Sequence, residues 1–350
     1  MKRYVIEQEF GIDALKLVES DIPQPGPGEI LVKMRAASLN YRDFLMVSGN
    51  YTRNLPLPLV PLSDGAGEVT AVGPGVRRWK EGDRVIGCFF QCWPAGRITA
   101  EVPKTALGGA VNGVLAEYVL FREGGLVSLP EHLSFEEGAT LPCAGVTAWN
   151  CLYKGSLTSG DTVLTMGTGG VSIFALQFAR AAGARVIATT GSETKEAHLR
   201  ELGASEVINY KAVPDWEKQV LKLTGGKGVD IVIEVGGAGT LTQSLKACKM
   251  GGNISLIGVL TGQRGEINPL PAVMKAVSIH GIYAGSREMF EDMNRTITLH
   301  KIKPVIDRIF PFAEAREALH YLASGAHTGK VVVAISQTIP EMRHSMEEIR

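Results

Sequence analysis

The residues best placed to do chemistry are the glycines of TMGTGGVS, at 165–172. They follow a short apolar run, VLTMG (163–167), and open a helical segment, GVSIFALQFARAAGA (170–184). Gly167 lets the chain turn sharply, and Gly169 removes a Cβ so that the backbone can lie against a pyrophosphate. Thr168, Gly170 and Val171 complete the turn, where the start of the helix offers free N–H groups to the anion. Ser172 stands where a third glycine would, and is small enough to keep helix and strand close. Glycines at such a turn are often only structural. The motif gains its meaning from the strand–helix–strand rhythm around it.

The second strand, RVIATTG (185–191), bears on which nicotinamide cofactor is bound. A site for NAD usually places an acid about 20 residues after the first glycine, to hold the ribose 2′-OH. Here Thr189, Thr190 and Gly191 occupy that place, and no carboxylate ends the strand. Ser192 and Lys195 follow and can meet a 2′-phosphate, while Tyr210, at the end of EVINY (206–210), can close the pocket. Glu193 is the opposing feature. The pattern favours NADPH (NADP). Gly236 and Gly258, in VDIVIEVGG and GNISLIGVL, and Lys330, in GKVVVAI, complete the candidate cofactor contacts.

The elements that must hold these residues fall into three segments. Residues 1–144 read as short strands broken by Pro and Gly, as in ILVKMRAASLN (30–40) and EGDRVIGCFF (81–90), which predicts a barrel-like β unit. Residues 145–285 alternate buried strands with helices, which predicts an α/β fold with a doubly wound parallel sheet. Residues 286–350 read as helical until KVVVAI (330–335), a strand returning to the first unit, and the tail QTIPEMRHSMEEIR suggests no role. With 36 basic and 36 acidic residues, the chain lacks the basic excess of a nucleic-acid binder. No apolar run approaches the ~20 residues of a membrane span, and MKRYVIEQEFG does not read as a signal peptide. Five scattered cysteines without a CxxC pair fit a reduced, cytoplasmic chain.

AASLNYRDFLMVSGNY (36–51), SDGAGEVTAVGPGV (63–76), EGDRVIG (81–87), LPCAGVTAW (141–149), GDTVLTMGTGGVS (160–172) and GKVVVAI (329–335) together resemble the medium-chain dehydrogenase/reductase superfamily. The resemblance covers about residues 1–335. It implies a GroES-like catalytic domain over 1–144, a Rossmann NADP-binding domain over 145–285, and an active site in the cleft between them. Zinc-dependent members supply a Cys, a His–Glu pair and a later Cys or His. At matching places this chain has Asn40, Ser63–Asp64 and Cys143. One thiolate cannot hold a catalytic zinc that needs about three protein ligands, so no metal is expected. The structural zinc lobe, with four close cysteines in the family, is reduced to Cys88 and Cys92.

LNYRDFLMVSGNY is most similar to the zinc-free branch of quinone, alkenal and enoyl reductases. By that resemblance Asn40 lies beside the nicotinamide, and Tyr51 matches a proposed proton donor, while Asp43 fixes the loop. The implied activity is NADPH-dependent reduction of an activated C=C bond or a quinone, with a small molecule as substrate. The alternatives are an alcohol dehydrogenase of the zinc type and a non-catalytic NADPH-binding protein. The apolar HGIYAG (280–285) resembles an edge strand that pairs with its copy, which implies a homodimer.

Overall fold

The computed structural model describes residues 1–262 and 264–335; the tail 337–350 lies outside them. Six parallel strands form one sheet, in the order Glu206–Asn209, Arg185–Thr190, Thr162–Met166, Val229–Glu234, Cys248–Leu256, Ser278–Gly281. The first strand in sequence lies in the interior and the chain winds outward in both directions from it, as in a Rossmann sheet. Val163, Leu164, Ile231, Val232 and Ile233 have no exposed surface, as expected of strands covered on both faces. Helix Gly170–Ala181 packs Ile173, Phe174 and Phe178 onto one of those faces, and Phe174 and Phe178 stack with ring centroids 5.7 Å apart.

The second sheet is the barrel. Its strands run Ile306–Pro311, Lys330–Ala334, Glu29–Leu39, Asp64–Val72, Arg84–Gly87 and Leu126–Ser128, with Tyr118–Arg122 also pairing Glu29–Leu39. Lys330–Ala334 returns to the first unit as expected, antiparallel to Glu29–Leu39, with Val331 opposite Leu39. The protein is therefore an α/β chain with a GroES-like barrel and a Rossmann sheet. Among the described residues, no helix is long and apolar enough to cross a membrane.

Two readings of the sequence need correction. The stretch after 286 is not helical up to 330: helix Arg287–His300 gives way to strand Ile306–Pro311 before helix Ala315–Ala323. Four of that strand's six side chains are exposed, and three of those four, Asp307, Arg308 and Pro311, are polar or Pro, which hid its period. The HGIYAG strand is shorter than expected and lies earlier, at Ser278–Gly281, with Ile282 making the last bond to Leu256 and Tyr283 to Gly285 outside the strand.

Candidate functional site

Strand Thr162–Met166 delivers the glycine turn to the C-terminal edge of its sheet. Gly167 adopts φ +73°, a conformation that side chains rarely allow, and its N–H donates to Thr189 O at 3.0 Å. Gly169 is the cap of helix Gly170–Ala181, and a Cβ on Gly167 or Gly169 would meet no protein atom within 4 Å. The turn therefore presents bare backbone to the cleft, with helix N–H groups behind it, which fits a pyrophosphate. Ser172 is buried and its hydroxyl donates to Met166 O at 2.6 Å, so it stitches helix to strand. Val171 lies half-buried in the first helical turn.

Beyond the second strand, Tyr210 lies across Gly191, whose missing Cβ would collide with the phenol oxygen. The Ser192 N–H donates to Thr190 Oγ1 at 3.2 Å, and Ser192 Oγ shares a hydrogen with Thr194 Oγ1 at 2.8 Å. Lys195 reaches back toward the glycine turn: Nζ donates to His327 O at 2.7 Å and sits 3.4 Å from Thr168 Oγ1. Burial pulls its pKa down, because the charged ammonium loses water there. Gly236 donates its N–H to Glu234 Oε1 at 2.7 Å. Glu234, fully buried, also accepts from Gly237 N, Thr240 Oγ1 and Ser244 Oγ. That carboxylate ties down the loop after its strand. Gly258 packs on Val235, and a Cβ there would strike its carbonyl.

Lys330 lies between the glycine turn and the barrel. It is 4% exposed, and its ammonium donates to Leu39 O at 2.6 Å and Asn40 Oδ1 at 2.5 Å. Its stem runs beneath the glycine turn, which it joins to the barrel. Asn40 caps helix Tyr41–Val47 and its N–H donates to Asp43 Oδ2 at 2.9 Å, the loop-fixing role expected of Asp43. Arg42 Nη1 bonds Asp43 Oδ1 at 3.1 Å and Leu107 O at 2.9 Å, and its guanidinium lies 4.9 Å from the Phe89 ring centre. Asp64, also fully buried, accepts from Ser63 Oγ at 2.6 Å and from Cys143 N at 2.9 Å. Burial raises the Asp64 carboxyl to about 6, and the Lys330 charge holds it from rising further. Burial also raises Asp43, with Arg42 opposing it most.

Above this polar floor stands an aromatic wall. Tyr283 packs edge-on against Phe90 with centroids 5.0 Å apart, and Phe89 and Trp93 adjoin it. Tyr51 is exposed and close enough to Tyr283 to act on its phenol, which burial first, and Tyr51 second, push up to about 12. The sequence reading missed Tyr283, because HGIYAG looked like strand throughout. It also missed that Lys330 meets Asn40, a contact no local pattern could reveal.

Two family profiles match the chain, one described as an alcohol dehydrogenase GroES-like domain over residues 26–131 and one as a zinc-binding dehydrogenase over residues 170–298. The chain belongs to the medium-chain dehydrogenase/reductase superfamily. A zinc-type alcohol dehydrogenase-like protein of Schizosaccharomyces pombe is 45% identical, over 95% of this chain and 99% of its own length. The quinone oxidoreductase of Homo sapiens is 31% identical, over 93% and 96% of the two chains. Among solved structures, an NAD-dependent alcohol dehydrogenase superposes with a TM-score of 0.88 at 36% identity, covering 96% of this chain and 100% of its own. The 2-octenoyl-CoA carboxylase reductase CinF, in complex with NADP and 2-octenoyl-CoA, gives 0.85 at 29% identity, covering 92% and 82%. This superfamily member is a nicotinamide-dependent oxidoreductase.

Zinc, which one profile name of the superfamily implies, does not fit the donors present. Asn40 Oδ1 already holds an ammonium, both Asp64 oxygens are taken, and the Cys143 thiol is pushed up by burial and by the Asp64 charge. A lysine cation 2.5 Å from a would-be ligand atom would also repel a dication. Among the described residues, no group of three or more His, Cys, Asp or Glu side chains could hold a metal.

Proposed function

We propose that this protein uses NADPH, without zinc, to reduce an activated C=C bond (enone, enal or enoyl thioester) or a quinone. The observation that carries the reading is Lys330, whose ammonium bonds the Asn40 amide at the place where zinc-type members keep a metal. When bound, NADPH supplies the hydride. As negative charge then grows on the substrate's carbonyl oxygen, the chain must offer donors, and the Asn40 amide and backbone N–H groups are the candidates. Tyr51 can give the proton that completes reduction of a C=C bond, and a tyrosine phenol carries that proton at neutral pH. The exposed ring of Tyr283, backed by the buried Phe89 and Phe90, suits a flat, apolar substrate.

For NADPH over NADH, the support is the acid-free strand end, where Tyr210 covers Gly191, and Lys195, turned toward the glycine turn. The names of CinF, bound to NADP, and of the human quinone oxidoreductase agree with the reductase reading. The name of the Schizosaccharomyces pombe relative favours a second reading, a zinc-type alcohol dehydrogenase. NADPH oxidation against a panel of enals, enones, enoyl thioesters and quinones, with metal analysis of the same sample, separates the two. Turnover with well under one zinc per chain and no loss on chelation supports the reductase. Stoichiometric zinc with chelator-sensitive alcohol oxidation overturns it.

Homodimer formation through the edge strand Ser278–Gly281 belongs to the same proposal. Its Ile279 is 43% exposed, and the preceding helix exposes Leu270, Val273 and Met274.

A further inference from the structure

We propose that Lys330 is a positioning residue, which sets the orientation of the Asn40 amide and so fixes which end of it serves the reacting carbonyl. The inference rests on the reductase reading of the site. A lysine ammonium has donors and no acceptor, so the Asn40 atom 2.5 Å from it must be oxygen. The amide cannot flip without setting its NH2 against a cation. Nδ2 is therefore turned away from Lys330. It is buried, and although it feels the Asp43 carboxylate it makes no hydrogen bond of good geometry within the protein. A buried amide N–H whose one nearby acceptor is poorly placed is costly for a fold to keep, unless a ligand supplies a better acceptor.

The lysine itself is held from several sides. Its backbone N–H donates to Val305 O at 2.9 Å, and the preceding Gly329 donates to Thr168 O at 2.8 Å in the cofactor turn. A Cβ on Gly170 would lie 2.5 Å from Lys330 Cδ and 3.1 Å from Ala144 Cβ, so a glycine at 170 is what lets the stem pass. The head also donates to Leu39 O, one residue before Asn40. Its charge acts on two buried carboxylates, Asp43 and Asp64, which a neutral donor could not offset. Lys330 thus joins the first turn of the dinucleotide helix to the amide, so that the cofactor turn and the donor keep one relative geometry.

Four variants test this: Lys330→Met, Asn40→Ala, their combination, and Asn40→Asp. In the cofactor-free protein, urea unfolding should show the two positions coupled by about 3- to 100-fold in the unfolding equilibrium. With NADPH and the best enone or quinone, Lys330→Met should lower kcat roughly 10- to 100-fold through a misplaced amide. The NADPH Kd should stay within about threefold, and Lys330→Met should cost nothing further once Asn40 is Ala, since separate contributions would multiply. Asn40→Asp keeps an acceptor for Lys330 but offers no N–H, so its kcat should fall as far as that of Asn40→Ala. Where Lys330→Met fails to fold, Asn40→Asp decides alone. Additive effects at 330 and 40, a tenfold weaker NADPH Kd in Lys330→Met, or native kcat in Asn40→Asp each overturns the proposal. A wild-type protein that turns over none of the panel overturns the reductase reading instead, before any variant is made.

Discussion

Asp64 is a buried acid whose ionisation the fold resists, and this leaves a measurable trace in stability. Its carboxyl titrates at about 6 in the folded protein, against an ordinary value of 3.8. Each pKa unit corresponds to ~1.4 kcal/mol, so ionising Asp64 inside the fold costs about 3 kcal/mol more than in the unfolded chain. Below pH 3.8 both states hold the proton and the penalty is absent. Between 3.8 and about 6 the unfolded chain has released it while the folded protein has not, so stability declines as pH rises. Above that range the penalty is complete and constant. Asp64→Asn removes the titration; whatever contacts it loses to Ser63 and Cys143 add a cost that does not vary with pH. The assay is urea unfolding of both proteins from pH 3.5 to 7.5 at fixed ionic strength, over a window set by those two pKa values. The stability of the wild type relative to the variant should fall by about 3 kcal/mol across the window and then level off. Asp43 titrates in both proteins and cancels to first order. A difference that stays flat, or rises with pH, would refute the reasoning, since it would mean that Lys330 and the Cys143 amide keep Asp64 ionised throughout.

Lys195→Ala should weaken NADPH roughly ten- to a hundredfold and leave NADH unchanged, as expected of one charge-assisted contact to phosphate; equal losses for both cofactors, by fluorescence titration, would contradict it. Tyr51→Phe keeps the ring but removes the phenol proton, so enone kcat should fall ~10²–10⁴-fold with NADPH affinity nearly constant, and quinone reduction should fall less. Enone turnover within about threefold of native would return Tyr51 to a packing role, below that general-acid range. Light scattering at micromolar concentration should give a dimer mass, and a charge at Ile279, on the sheet edge, should shift it to monomer.

Much of the architecture was legible because burial imposes repeated patterns on it. The apolar run before Gly167 and the 3.6-residue rhythm after it mark strand and helix however distant the packing partners are. Strand Ile306–Pro311 was not legible, because it is an outer strand of its sheet with mostly exposed side chains, and an exposed strand carries no clear alternation. In the site, the turn residues Gly167 to Val171 were legible from local spacing. Lys330 was singled out as a cofactor contact, and its bond to Asn40 was not read. What it touches depends on pairing between strands at opposite ends of the chain, which no window of sequence contains. Tyr283 went unread for a related reason: the side on which a chain leaves a sheet edge is set by what it packs against, here Phe89 and Phe90.

The edge of strand Glu29–Leu39 opposite Asp64–Val72 is shared. Tyr118–Arg122 covers residues 29–33, and Lys330–Ala334 covers 36–39. On the ribosome, at ~5–20 residues per second, the second partner is made roughly 10 to 40 s after the first partner, Tyr118–Arg122. For that interval Ala36–Leu39, apolar but for one serine, presents unpaired backbone next to the helix that Asn40 caps. The barrel that comes first in sequence can close only after the whole Rossmann unit has been synthesised. A nascent chain stalled short of residue 330 is thus a sticky, open-edged species, whose fate in a cell would be set by chaperones and proteases.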